Sequence, residues 1–205
     1  MSTQRRRVLE GSKLVIPADG VYIEGLDGRA YTVDEWHGGD TANSVVAASG
    51  DVKFRIALTD APSQMGISSD YTDPLENYMA AISGETEAMA DYDGAQNTAK
   101  ILQMQPSTGY AAGYCDAFVF PDGKTKGFLP SLGQLWLAYQ NKAAVDAALV
   151  ACSGTAMTTS HYWTSTFSRV SGSRRRCWVF GWNYGSGKDG NLNYDNYVRA
   201  FANLG

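Results

Sequence analysis

The sequence predicts an α+β fold, and three observations carry that expectation. Period-two segments with turn dipeptides fill the N-terminal part, capped segments of helical period fill the middle, and alternating aromatic segments return after His161. Strands, then helices, then strands is the order of a segregated α+β domain, whereas a parallel sheet would alternate the two. The chain has 205 residues, 44% of them apolar and 12% aromatic, so one domain can bury an adequate core without disulfides or a structural metal. No internal repeat interrupts it.

Residues 1–19, with Arg5, Arg6 and Arg7, read as an N-terminal tail or linker ahead of a domain spanning 20–205. Residues 21–33 read as a hairpin around Asp27-Gly28, a dipeptide suited to a type I′ turn, and a second hairpin is expected around Ser49-Gly50-Asp51. Gly, Ser and Asp then mark a loop up to Thr72. Asp73-Pro74-Leu75-Glu76 has the form of a capped helix start, with Leu75, Tyr78, Met79 and Ile82 at helical spacing and Gly84 as the stop. A helix of about three turns is expected from Asp93 to the break at Pro106, and the Ala-rich 110–117 segment suits a third. Ser131 with Gln134 forms a capping box ahead of Leu132, Leu135, Trp136 and Tyr139, and Asn141 starts a following helix over 143–150. Beyond His161, strands are expected at 162–166, 177–184 and 197–201, separated by loops at 167–176 and 185–196. In the middle strand Trp178, Phe180, Trp182 and Tyr184 share one face as an aromatic wall.

Charge is segregated. The net −4 divides into +3 over residues 1–13, −11 over 14–160 and +4 over 161–205. The last 45 residues also lack Glu, Gln and Met, of which the first 160 hold 19, so about five would be expected at uniform composition. Asn, Gly, Ser, Arg, Tyr and Trp replace them, a palette in which aromatics give rigid contact area and small polar groups adaptable hydrogen bonds.

The sequence offers little catalytic chemistry. His37 and His161 stand in no metal-ligand spacing, and His161 reads as a strand or loop residue. A P-loop, a dinucleotide fingerprint and a nucleophile elbow are all missing, and no cofactor or metal is called for. The pairs Asp91 with Asp93 and Asp70 with Asp73 read as solvated loop carboxylates. Cys115, Cys152 and Cys177 read as small buried hydrophobes with at most one pair among them. Arg174, Arg175 and Arg176 suit a solvated loop or an arginine-anchored contact; nucleic acid is disfavoured by the acidic middle segment. No apolar run approaches the ~20 residues of a membrane helix, and the N-terminal segment lacks the apolar stretch of a secretory signal.

A string of short motifs resembles a known family. The motifs are Gly20-Val21-Tyr22-Ile23 with the Asp27-Gly28 turn, Gly94 with Asn97-Thr98-Ala99-Lys100-Ile101, and Phe128-Leu129-Pro130-Ser131-Leu132-Gly133-Gln134-Leu135-Trp136. Tyr162-Trp163-Thr164-Ser165-Thr166, Cys177-Trp178-Val179-Phe180 and Val198-Arg199 complete it. Order and spacing resemble the C-type-lectin-fold variable proteins of diversity-generating retroelements, which include phage tropism determinants. The resemblance implies a C-type-lectin-like fold with a small antiparallel sheet, flanking helices and a C-terminal display face over about 161–201. It implies a non-enzymatic binding protein on a virion or a bacterial surface, with a protein or glycan ligand on a target cell, no cofactor and no membrane insertion; oligomeric state stays open. In such a family, adenine-directed mutagenesis of Asn codons yields no Glu, Gln, Lys, Met or Trp.

On this resemblance the ligand-binding positions are Phe167, Arg169, Arg174, Arg175, Arg176, Val179, Gly181, Asn183, Tyr184, Ser186, Asp189, Asn191, Asn193, Tyr194, Asp195 and Asn196. Phe167, Tyr184 and Tyr194 would anchor, the arginines would act as forked donors, and Trp136, Trp163, Trp178, Phe180 and Trp182, with Lys188, would be scaffold. Leu192 stands where the family pattern has a lysine and Ala200 where it has a proline, and the calcium triplets of classical lectins are missing. The alternatives are a fixed carbohydrate-binding adhesin or phage tail protein; an enzyme on the same fold is not expected.

Overall fold

A computed structural model describes residues 14–37 and 40–204, so most of the expected tail, 1–13, lies outside the described residues. The fold is α+β, with two antiparallel sheets and five α-helices among the described residues. The larger sheet holds β1 (Gly20–Gly25), β2 (Ala30–Tyr31), β3 (Ala42–Ser49), β4 (Val52–Ile56) and β8 (Phe201–Asn203), in the order β2-β1-β3-β4-β8. The smaller holds β5 (His161–Ser171), β6 (Arg174–Gly181) and β7 (Ser186–Asn191), in chain order. Between them run α1 (Glu85–Ala88), α2 (Gly94–Met104), α3 (Ala111–Ala117), α4 (Leu132–Gln140) and α5 (Lys142–Ala151).

Both N-terminal hairpins form, with one change of turn. In the first, only Gly28 enters the left-handed region (φ +79°), while Asp27 stays at negative φ. Gly28 N–H donates to Gly25 O at 3.0 Å and Gly25 N–H to Arg29 O at 2.9 Å, a three-residue loop ending in a left-handed glycine in place of the expected type I′ turn. At the far end of the chain, β8 joins β4, and Phe201 stacks on Phe54 with ring centroids 5.1 Å apart.

The helix expected from Leu75 to Ile82 is not formed; Leu75–Asn77 is a single 3₁₀ turn. Its capping residues are engaged elsewhere. Asp73 accepts the Ser68 hydroxyl, Glu76 is drawn to Arg175, and Ile82 N–H donates to Phe167 O along the edge of β5. Gly84, expected as a stop, is instead the N-cap of α1, a further short helix. The helices expected near Asp93, at 110–117 and after Ser131 and Asn141 are all present as α2 to α5. Gln134 Oε1 accepts Ser131 N–H at 2.9 Å, and the Ser131 hydroxyl donates to Asp91 O at 2.6 Å. Asn141 starts α5 by position, but its side-chain amide reaches back to Leu137 O at 3.3 Å and so closes α4.

The largest departures lie after His161. The expected loop over 167–176 is a hairpin: β5 continues to Ser171 and turns at Gly172-Ser173 into β6, with Ser171 opposite Arg174. Part of the expected 185–196 loop is β7, pairing Ser186 with Gly181 and Asn191 with Arg176. The expected strand over 197–201 is irregular up to Ala200, with Tyr197 bridging to Tyr162.

β6 lies between two hydrophobic cores. Trp178, Phe180 and the following Trp182 enter the core formed with Phe54, Leu135 and Phe201. Cys177 and Val179 enter a second core with Ile67, Leu129, Trp163, Phe167 and Val198. All three cysteines are free thiols.

Candidate functional site

The smaller sheet decides which candidate residues can meet another molecule. Phe167 and Val179 are each 1% exposed, and Gly181 and Asn191 are also buried, so these four are removed from the binding face. The physical reason is the double burial of the sheet: the side of β6 opposite the aromatic wall is core as well. Trp163, Trp178, Phe180 and Trp182 are buried and Trp136 is partly buried, all packed in the two cores.

The remaining candidates up to Asp189 lie toward opposite ends of β6, and those at 193–196 lie on the loop after β7. Arg174 and Gly181 are seven steps apart, which at ~3.3 Å per residue separates the ends by roughly 23 Å. At the hairpin end, Arg169 lies opposite Arg176, and Asp189 on β7 ion-pairs with Arg169 and stands 3.7 Å from Arg176. Asp189 also accepts the Ser168 hydroxyl. Arg175 Nε donates to both Glu76 carboxylate oxygens at 2.9 and 3.0 Å, holding that carboxyl below its usual value, and Arg175 N–H donates to Tyr71 O at 2.7 Å. Arg174 lies over the Tyr71 ring, 5.6 Å from its centroid.

At the other end, His161 pairs with Gly181, and the Tyr184 ring sits 6.2 Å from the imidazole. Tyr184 is 70% exposed, and Asn183, Ser186 and Lys188 are exposed beside it. Lys188 is therefore not buried scaffold; on β7, an outer strand of this sheet, a lysine discourages pairing with another chain.

Burial first, and then the Lys188 charge, hold His161 below its ordinary value of 6.5, so it is neutral at pH 7. The sign of the linkage follows. Between 6.5 and the depressed folded value the unfolded chain binds the proton more readily, so stability falls as pH drops through that window and is insensitive to this group above it. Denaturant unfolding from about pH 7.5 to about pH 5 should show this loss, and His161→Gln should flatten it.

The loop over 192–197 carries Asn193, Tyr194, Asp195 and Asn196. Trp163 Nε1 donates to Met65 O at 2.8 Å and Tyr194 O at 3.1 Å. Ile67 and Ser68 N–H donate to Leu192 O, and Tyr197 N–H donates to His161 O at 3.0 Å. The backbone is thus fixed while Asn193, Tyr194 (54% exposed) and Asp195 project to solvent.

A cavity of ≈ 180 Å³ opens between Met79, Ile82, Asp91, Asp93, Asn97, Lys100 and Phe167. Asp91 is 9% exposed, not a solvated loop carboxylate. It accepts Thr166 Oγ1 at 2.6 Å and the Asn97 amide and Asp93 N–H at 2.9 Å each, while its carbonyl accepts Gly133 N–H at 3.1 Å. Those bonds tie α2, the start of α4 and β5 together, which makes Asp91 a joint in the framework.

Burial pushes the Cys115 and Cys177 thiols well up and Cys152 to about 12, so none is a thiolate nucleophile at neutral pH. Among the described residues no three His, Cys, Asp or Glu side chains lie close enough to hold a metal ion. What the arrangement offers chemically is contact: forked donors at one end of the sheet, an exposed phenol and amide from Tyr184 and Asn183 at the other, and further exposed polar groups on the loop after β7. Tyr71 and Glu76, which orient the arginines, were not identifiable from sequence, since Glu76 lies 99 residues from Arg175. Comparisons with family models, curated proteins and solved structures found no match for this chain.

Proposed function

We propose that the chain is a ligand-recognition protein: a C-type-lectin-like domain whose C-terminal sheet displays changeable side chains on a fixed framework, of the kind that diversity-generating retroelements rewrite. One observation carries this reading. Between 169 and 196 every Trp and Phe, namely Trp178, Phe180 and Trp182, lies inside, while the side chains reaching solvent are Arg, Asn, Asp, Ser, Tyr and Val, with Lys188 the one exposed residue that adenine-directed change of an Asn codon could not produce. Val and Asn also occur inside, at Val179 and Asn191. Tyr184 and Tyr194 would anchor a protein or glycan on a target cell surface, with Asn183, Ser186, Asn193 and Asp195 supplying hydrogen bonds.

Sequencing the DNA around the gene tests the reading. It should contain a near-identical repeat, with adenines at the codons for Arg174, Arg175, Arg176, Asn193 and Asn196, beside a reverse-transcriptase gene. If both are missing, diversification is refuted.

A further inference from the structure

We propose that the hairpin end of the smaller sheet binds the carboxylate of an acidic sugar, with Arg169, Arg174 and Arg176 as the donors. This deepens the recognition reading by naming a ligand class, and it does not require that the tail be diversified.

Four arginines lie at this end: Arg175 faces the other side of β6 from Arg174 and Arg176 and is paired with Glu76, while Asp189 is shared by Arg169 and Arg176. Arg169 and Arg176 stand directly opposite each other across β5 and β6, a like-charge pairing that costs stability and that Asp189 only partly offsets. Arg174 has a ring beneath it and no carboxylate partner among the described residues. The buried Nε of Arg176 also lacks a hydrogen-bond partner. The end thus holds a surplus of two positive charges with donors already oriented, by Tyr71 under Arg174 and by Asp189 between Arg169 and Arg176.

The surroundings narrow the anion. Residues 14–160 carry −11, which disfavours a long polyanion such as nucleic acid but leaves room for a single charge docking locally. A peptide adding as a strand is also disfavoured, because it would have to displace bonds that each outer strand already makes, and it would meet Lys188 on β7. Ile82 N–H donates to Phe167 O at 2.8 Å on β5, and the Glu85 carboxylate takes Gly187 N–H at 2.6 Å on β7. The exposed hydroxyls of Ser171 and Ser173 at the turn suit a ligand that offers a carboxylate amid hydroxyl groups, as an acidic sugar does.

The test uses the full chain and polyacrylamide conjugates bearing glucuronate or N-acetylneuraminate, with the methyl ester of each as the uncharged control and poly-aspartate as the peptide control. Binding to at least one acidic conjugate is expected, weakened at least roughly ten-fold by esterification and by Arg169→Ser/Arg174→Ser, and weakened by salt. Whichever conjugate binds identifies the source of the carboxylate. Both arginines are exposed, so the double variant should retain the wild-type Tm, and Arg174→Glu is a second variant expected to abolish binding. Binding to neither conjugate, equal binding of an ester or of poly-aspartate, or unchanged affinity in the variants overturns the proposal. Failure here leaves the DNA test of the recognition reading untouched, and a missing retroelement leaves this binding result standing.

Discussion

Arg199→Met is expected to destabilise the fold by about 3–5 kcal/mol, the range for removing one partner of a buried ion pair. The Arg199 side chain is fully buried. Its Nε donates to Asp60 at 2.6 Å, and its terminal nitrogens donate to Thr155 O at 2.9 Å, Ala57 O at 3.3 Å and Thr155 Oγ1 at 3.1 Å. Asp60 also accepts the Tyr162 hydroxyl at 3.0 Å, and that oxygen in turn accepts Thr158 N–H at 2.8 Å. Burial and then the Asp60 charge keep the Tyr162 phenol protonated far above its usual value, so it acts there as a donor at any ordinary pH. Methionine fills much of the arginine's volume but leaves Asp60 with the Tyr162 phenol and strands the buried carbonyl of Ala57, while the exposed Thr155 exchanges its donor for water. Denaturant unfolding of Arg199→Met measures the loss, and a change below about 1 kcal/mol would show that the network is not holding the C-terminal segment. Pairing it with Asp60→Asn should recover part of the loss, because the uncompensated charge is then gone. The Val198-Arg199 motif therefore has a structural reason: it fastens the segment leading into β8 to β5 and to the loop after β4.

What could be read from the sequence was whatever nearby residues decide. The start of α4 is set within four residues by Ser131 and Gln134, and the hairpin of β3 and β4 by the Ser49-Gly50-Asp51 turn. The expected helix at Leu75 failed because its cap was claimed from elsewhere in the chain: Asp73 by Ser68 and Glu76 by Arg175. The hairpin between β5 and β6 was hidden by its composition. Ser, Arg and Gly read as loop, and strand character there comes from pairing with neighbours that sequence alone does not reveal. Double burial of β6 did leave a signal, the unbroken run Cys177-Trp178-Val179-Phe180-Gly181-Trp182, typical of a strand covered on both faces. Alternation of the aromatics puts Val179 on the side opposite the wall, where it lies, but that side is a second core and not a solvent face. The exposed candidates were legible by residue type, but their separation between the two ends of β6 and the loop after β7 was not, because it follows from the extension of β6 and its pairing with β7.

Trp163→Ala is expected to cost about 3–5 kcal/mol, whereas Tyr194→Ala, thirty-one residues away but bonded to the same indole, should change stability by less than about 0.5 kcal/mol. The indole is fully buried beside the loop over 192–197, and a Cβ at Gly190 on β7 would lie 2.7 Å from it, so β7 is fitted to the ring. Its N–H holds the carbonyls of Met65 and Tyr194, so it fixes the loop through backbone and leaves the Tyr194 side chain out of the bargain. Trp163→Phe separates the two contributions. Packing is largely kept while both carbonyls lose their donor, and a loss of about 1–3 kcal/mol is expected, with faster amide exchange across 192–197 and little change in β1 to β4. Tyr194→Ala should leave that exchange pattern as it is and weaken only binding. A recognition surface can change its chemistry freely only if the framework's free energy does not depend on the displayed side chains. If Tyr194→Ala destabilises the chain as much as Trp163→Phe does, the displayed side chain is part of the framework, and the proposed separation of scaffold from contact surface is refuted.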